Sequence, residues 1–568
     1  MSSDKLRGSL ALLAFLALCG ITGYLVPMTL SPDNTPVFWY SIVPPLLAIT
    51  LALATRRVIL SLFLGVLVGG LLVAYQQQLG LLSIVIQGPI TASSYIFNAI
   101  TDPWNIQVLL FLVLILATIT ITICAGGLQG LITWLSAYAH DGRSAQVVAY
   151  ILGMLIFIDD YANTLLVGTS MRPITDKFKV SREKLAFIVD ATSAPVSGIA
   201  FVSTWVGYEV GQFTQVAERA GIDRDGYAIF FDIFTLRFYC ILMLIFLLIN
   251  VLSRRDYGAM RSAQVRAATL SQISAPDAKQ LTSRQFTDAQ AFDNVKVNLW
   301  TAVIPLVGLL LYFVAGLWVD GGGMARLAEQ PFALFSISAW SEVVSASKNN
   351  MKVLMESGLL GFVLALLCAR FIAQVNYRSL LKAIWLGINA ARLPIIILTL
   401  AWSLKSACDG LSTDIFLIEL LGDNFPALLF PAMVFAMAGM TAIATGTSWG
   451  TMAILIPMVA PLAVQLDGGS YGIITMLSLA AVLDGSIFGD HCSPLSDTTI
   501  MSSIASSCDH MHHVRTQFPY ALTVALFAFM GYLIMPLGII DELMVLGVST
   551  LLFVALFFGV LRRWQKSV

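Results

Sequence analysis

Long uncharged stretches constrain this chain before any motif does. Residues 58–101, 103–140 and 424–466 contain no Asp, Glu, Lys or Arg, and neither do 8–32, 34–55, 191–208, 297–319, 516–540 and 543–561. A helix needs about 20 largely apolar residues to cross the hydrocarbon core of a bilayer. Most of these stretches hold one crossing, and the longest hold two. Strands alternating apolar and polar residues are absent, and an open sheet edge is not tolerated in lipid. The sequence therefore predicts an all-α polytopic membrane protein with about 11–13 transmembrane helices.

Composition narrows the function classes. Of 568 residues, 58% are hydrophobic and 11% charged, against roughly 25% charged in a soluble globular protein. The 32 basic and 33 acidic residues sum to -1, which leaves no basic face for nucleic acid. The seven cysteines are odd in number and show no C-x-x-C spacing, so neither a disulfide framework nor a transition-metal site is expected, and no cofactor. Residues 8–27 read as a retained first helix, because bulky Leu18 stands where signal cleavage wants a small residue.

Lys and Arg near helix ends set orientation. The clusters Lys5 with Arg7, Arg56 with Arg57, Arg254 to Lys296, and Arg562, Arg563 with Lys566 place both termini in the cytoplasm, with the chain in the inner membrane. Segment 253–297, rich in Ser, Gln and Ala, reads as a cytoplasmic linker between an N-terminal membrane half, 1–252, and a C-terminal half, 298–568. Gly65 and Gly69 form a G-x-x-x-G packing pattern and a weak dimer signal.

The informative residues are the exceptions to the apolar rule. An acid inside an apolar helix costs roughly 2.5–3.5 kcal/mol to insert even on a lenient scale, which makes it a functional-site hypothesis by default. In the first half, residues 151–173 run through an apolar stretch into Asp159, Asp160, Asn163 and Thr164; Asp190 follows, with Thr192, Ser193 and Pro195 behind it. In the second half, 479–503 gathers Asp484, Asp490, His491, Ser493, Pro494, Ser496, Asp497, Thr498 and Thr499, and 439–457 offers Thr445, Thr447, Ser448 and Thr451 between Gly446 and Gly450. Gly, Pro, Ser and Thr grouped at mid-membrane mark broken helices or re-entrant hairpins, whose freed carbonyls and half-helix ends bind ions. Carboxylate, carbonyl and hydroxyl oxygens suit a hard cation such as sodium. FIDDYANT (157–164) and FGDHCSPLSDT (488–498) share an aromatic, an acid two residues on and a closing Asn-Thr or Asp-Thr, which suggests two related halves.

GTSWGT (446–451), IFGDHCSPLSDTTIMSS (487–503), DHMHHVRTQFPYA (509–521) and 159–196 together resemble the NhaC family of sodium/proton antiporters, over roughly residues 150–535. That resemblance implies a cation-coupled carrier with helical hairpins, broken helices, an elevator-like movement and a homodimer. Families similar to this one also exchange organic acids and amino acids, so the motif specifies machinery more firmly than cargo.

The expected mechanism is exchange of Na+ or Li+ for H+ at shared carboxylates, because both neutralise the same oxygens. Asp490 and Asp497 are the first choices for the site, with Ser493, Ser496 and Thr498 beside them. Asp159, Asp160, Asn163 and Thr164 close it from the other half, and Thr445, Thr447 and Ser448 complete the shell. His491, Asp190 and Asp484 are expected to modulate it. His510, His512 and His513 read as a polar loop at the membrane edge, and Arg172 and Arg392 as interfacial or as partners of an organic carboxylate. The G-x-S-x-G match at 446–450 lies inside an uncharged stretch instead of a strand-to-helix turn, which argues against a hydrolase; acids in two separate segments argue against the ring of a channel.

Overall fold

The computed structural model describes residues 17–561 apart from 18, 21–27, 31–35, 56, 78–79, 221, 223, 279–290, 293–294, 336–338, 340–342, 344–346, 348, 414, 417–425 and 495; 1–16 and 562–568 also lie outside the description. The expected first helix and the terminal basic clusters fall mostly on those residues. Elsewhere the chain is helical, with one antiparallel ribbon, Met28–Leu30 against Pro36–Phe38, as the sole sheet among the described residues. Among the described residues, ten helices are long and apolar enough to cross a membrane, and three shorter apolar ones join them, Trp39–Leu51, Gly226–Leu236 and Ala427–Ile443. The protein is a multi-pass, all-α membrane protein.

Four interruptions organise the interior. Helix Gly142–Leu155 stops at Ile156 and the chain resumes as helix Asp160–Lys177. Gly142 lies against Phe178 at the far end of the second helix, so the pair is a hairpin with residues 156–159 at its tip. Helix Arg182–Ala191 then breaks over 192–203 before helix Thr204–Ala220. In the second half, helix Phe430–Thr445 ends on Gly446, whose φ of +72° only glycine adopts freely, and Ser448–Leu466 begins after Thr447. Helix Ile473–Cys492 breaks over 493–496 and continues as Asp497–Ala505.

Backbone geometry pairs these breaks in chain order. Asp159 (φ -150°, ψ 131°) and Thr447 (φ -151°, ψ 126°) are both extended N-caps whose side chains accept an amide three residues on. Ser193 N–H donates to the Asp190 carbonyl at 3.1 Å, and Ser493 N–H to the Asp490 carbonyl at 3.0 Å. Residues 157–164 thus correspond to 445–452, and Asp190 to Asp490. The sequence pairing of 157–164 with 488–498 is corrected: acid spacing was similar, but the local fold is not.

Helix Ile473–Cys492 is the most enclosed of the ten spans, 83% buried, whereas Glu542–Val560 is 22% buried and lies at the periphery. Gly439, Gly485 and Gly489 let helices Phe430–Thr445 and Ile473–Cys492 approach to backbone contact. Gly65 and Gly69 face Leu404 and Ala407 of the same chain, so this G-x-x-x-G is spent on internal packing. Part of the expected linker, Gly258–Leu270, is helical and packs through Met260, Ala263 and Ala267.

Candidate functional site

Each break is held open by side chains of its own sequence. Asp159 accepts the Ala162 N–H through Oδ1 at 2.8 Å, while its Oδ2 takes a bond from Thr204 Oγ1 at 3.3 Å. The cap satisfies one of the orphan donors of a helix start. Thr204 N–H also donates to the Ile158 carbonyl at 2.9 Å, so the hairpin tip and the restart of the broken helix are stitched together. Asn163 completes the stitch: its amide nitrogen lies 2.7, 3.0 and 2.8 Å from the carbonyls of Gly153, Ile156 and Thr192. Its Oδ1 is buried with no hydrogen-bond partner among the described residues.

The second half repeats the pattern with other residues. Thr498 Oγ1 donates to Asp490 Oδ2 at 3.1 Å and contacts Ser496 Oγ at 2.8 Å, while Ser493 Oγ donates to the Ile443 carbonyl at 2.7 Å. Ser496 caps helix Asp497–Ala505 by accepting the Thr499 N–H. Tyr208 hydroxyl donates to the Trp449 carbonyl at 2.7 Å and stacks on its ring, which joins the two halves.

A cavity of about 1640 Å³ opens between these breaks and an apolar wall. Asp159, Asp160, Thr204, Thr447, Ser448, Asp490 and Thr498 line one side; Leu60, Phe63, Ile96, Leu386, Ile396 and Leu400, with Asn389 and Thr399, line the other. Six of the twelve expected site residues therefore border one space. Asn163, Ser493 and Ser496 brace the breaks. Thr164 and Thr445 donate to carbonyls of their own helices, Asp160 and Thr441, at 2.8 and 2.9 Å. Asp497 opens its helix, and its side chain lies outside the described residues.

The three modulating candidates sit behind the cavity. Asp190 receives Gln517 Nε2 at 2.7 Å, Ser502 Oγ at 3.1 Å and His513 Nε2 at 3.3 Å. His491 stacks on Phe187 and places Nδ1 2.7 Å from the Tyr239 hydroxyl. Asp484 pairs with Arg237 at 3.0 Å, and Arg237 also pairs with Glu209 at 3.2 Å. The expected polar loop is corrected: Asp509 caps a helix that begins at His510, and His513 is fully buried. Arg172 borders the cavity and donates to Ser507 Oγ, whereas Arg392 is exposed on its helix.

Sequence reasoning missed Arg237 and Glu209. Each stands at the edge of an uncharged stretch and so marks a span boundary there. A lone acid in WVGYEVGQF, flanked by apolar residues on both sides, was the available signal.

Broken helices whose tips converge on an acid-lined cavity define a membrane carrier of the secondary-transporter class. The chain belongs to the Na+/H+ antiporter family, which it matches over residues 198–537. An uncharacterized protein of Haemophilus influenzae is 31% identical over 499 residues, 87% of this chain and 90% of that one. A shorter match, 34% over 110 residues, covers 18% of this chain and 22% of the malate-2H(+)/Na(+)-lactate antiporter of Bacillus subtilis. Another, 34% over 117 residues, covers 21% of this chain and 22% of the arginine/ornithine antiporter of Halobacterium salinarum. The solved YdaH transporter of Alcanivorax borkumensis shares the fold, with a TM-score of 0.51 over 98% of both chains at 14% identity. The antiporter resemblance carried by the motifs stands at the level of that family.

Proposed function

We propose that this chain is a secondary antiporter of the cytoplasmic membrane, dimeric and with both termini inside, that exchanges Na+ or Li+ for H+ at a shared carboxylate site. The carrying observation is that Asp159, Asp160 and Asp490, from both halves, border one cavity at breaks lined with hydroxyl oxygen. A carboxylate held away from water is costly unless a proton or a cation neutralises it. The two neutralisers compete for the same oxygens, and competition at a site that changes sides is exchange. Thr498, Thr447, Ser448 and the Asn163 Oδ1 supply further oxygens suited to a hard cation.

The test uses everted membrane vesicles with an imposed pH gradient. Na+ or Li+ dissipates the gradient in wild-type vesicles, and Asp490→Asn abolishes the response. An Asp490→Asn protein that still responds overturns the shared-carboxylate reading.

A second reading, exchange of an organic acid or amino acid, is favoured by the size of the cavity and its apolar far wall, which exceed what a bare ion uses. Relatives named for malate/lactate and arginine/ornithine exchange agree with it. The second reading is of a cation-coupled exchanger, and solute counterflow in proteoliposomes separates the two: uptake of an organic solute driven by its own preloaded pool, with Na+ dissipating a pH gradient only when that solute is present, selects the second.

A further inference from the structure

The Arg237 cluster holds one more negative charge than positive. Arg237 Nε donates to Asp484 Oδ1 at 3.0 Å, and Nη1 lies 3.2 and 3.4 Å from the two Glu209 carboxyl oxygens. Glu209 and Asp484 are 0% exposed and Arg237 1%. Neither acid has another ion-pair partner among the described residues. An unbalanced charge shut away from water costs several kcal/mol even after relaxation, and a proton on one of the two acids removes that cost.

The hydrogen bonds choose which. Asp484 also accepts the Tyr239 backbone N–H at 2.6 Å and lies 2.8 Å from the Tyr532 hydroxyl, whose one hydrogen also has the Leu236 carbonyl at 2.9 Å, so Asp484 meets more donors than Glu209 does. Among the described residues the Glu209 carboxyl has Arg237 Nη1 alone, at 3.2 and 3.4 Å, and that nitrogen also donates to the Gly198 carbonyl at 2.9 Å. Tyr208, Tyr227 and Cys240 are the other titratable groups around Glu209, and none of them brings a positive charge.

We propose that Glu209 is a proton-binding site of the transport cycle, separate from the cavity carboxylates, which sets whether Arg237 holds the first helix break closed. The route is short. Gly198 lies inside the break 192–203, between Thr192, which accepts from Asn163, and Thr204, which donates to Asp159. Nη1 carries two N–H groups and serves both the Gly198 carbonyl, at 2.9 Å, and the Glu209 carboxyl, at 3.2 Å; when Glu209 loses its proton, the full negative charge pulls Nη1 closer and weakens its hold on the Gly198 carbonyl and so on the break. The proposal rests on the antiport reading only for its link to transport. The protonation state of Glu209 stands by itself.

The experiment is infrared difference spectroscopy on the full-length protein in proteoliposomes, stepped in pH, beside exchange measured over the same range. Wild type shows a protonated-carboxyl C=O band that is lost as pH rises. Glu209→Gln lacks the band, and Glu209→Asp moves it, which serves if the Gln variant does not fold. Exchange by Glu209→Gln loses one step of its pH profile while Na+ binding measured at equilibrium changes less than twofold. A band that persists at every pH, no band assignable to Glu209, or an unaltered pH profile in both variants overturns the proposal. Failure of the shared-carboxylate reading shows instead in Asp490→Asn and leaves the Glu209 band in place.

Discussion

Asn163 concentrates the logic of this protein in one amide. Two N–H hydrogens serve three carbonyls drawn from the hairpin and from the neighbouring break, and the remaining oxygen has no partner among the described residues. Asn163→Asp replaces the donor with an acceptor facing those same carbonyls. Each buried carbonyl left unsatisfied costs about 1–3 kcal/mol, so the variant is expected to unfold at a clearly lower temperature in detergent and to exchange at less than a tenth of the wild-type rate; an unchanged thermal midpoint would count against the clamp. Asp159, Asp160 and Asp490 were legible in the sequence because a charge inside an apolar run is costly and therefore conspicuous. Arg237 was not, because a charge at the start of an apolar run is what any span boundary looks like, and Glu209, inside helix Thr204–Ala220, stands alone without the Gly, Pro, Ser and Thr cluster that marks a break. Only the tertiary fold brings those two side chains together.

At the scale of elements, the breaks were legible as clusters of Gly, Pro, Ser and Thr, but their pairing was not. Acid spacing suggested matching 157–164 to 488–498, whereas cap geometry matches 159 to 447 and 190 to 490. Similar side chains at similar spacing report composition; which backbone they bend is settled by the neighbouring break. Gly153 illustrates how tight that neighbour is, since a Cβ there would stand 2.0 Å from Thr192 Oγ1. Overpacking at such a contact costs typically about 1–3 kcal/mol. Gly153→Val is therefore expected to push the hairpin off the break and lower exchange at least tenfold, with helical content by circular dichroism unchanged. Wild-type exchange in Gly153→Val would mean that the two breaks need not touch.

At the scale of the whole molecule, the cavity divides two kinds of helix. The hairpins and broken helices carry the cavity acids, and other helices, such as Met351–Phe371 on the outside and Tyr377–Ala390 and Arg392–Gly410 at the cavity, form a wall. Six of the seven cysteines are buried and Cys19 is partly exposed, so a thiol introduced at Asn389, which is exposed and borders the cavity, is reported against a quiet background. Asn389→Cys is expected to react with a membrane-impermeant maleimide from one side of the membrane only, and several-fold more slowly in saturating Na+. Labelling from both sides at rates that Na+ does not alter would indicate a continuous pore instead of a carrier.

The cavity wall takes no part in stitching the tips together. Leu386, Ile396, Ile397 and Leu400 touch whatever enters without holding an N-cap, a carbonyl or an acid in place. A combinatorial library confined to those four positions would therefore explore new passengers while leaving the engine intact, which makes this face the natural starting point for directed evolution.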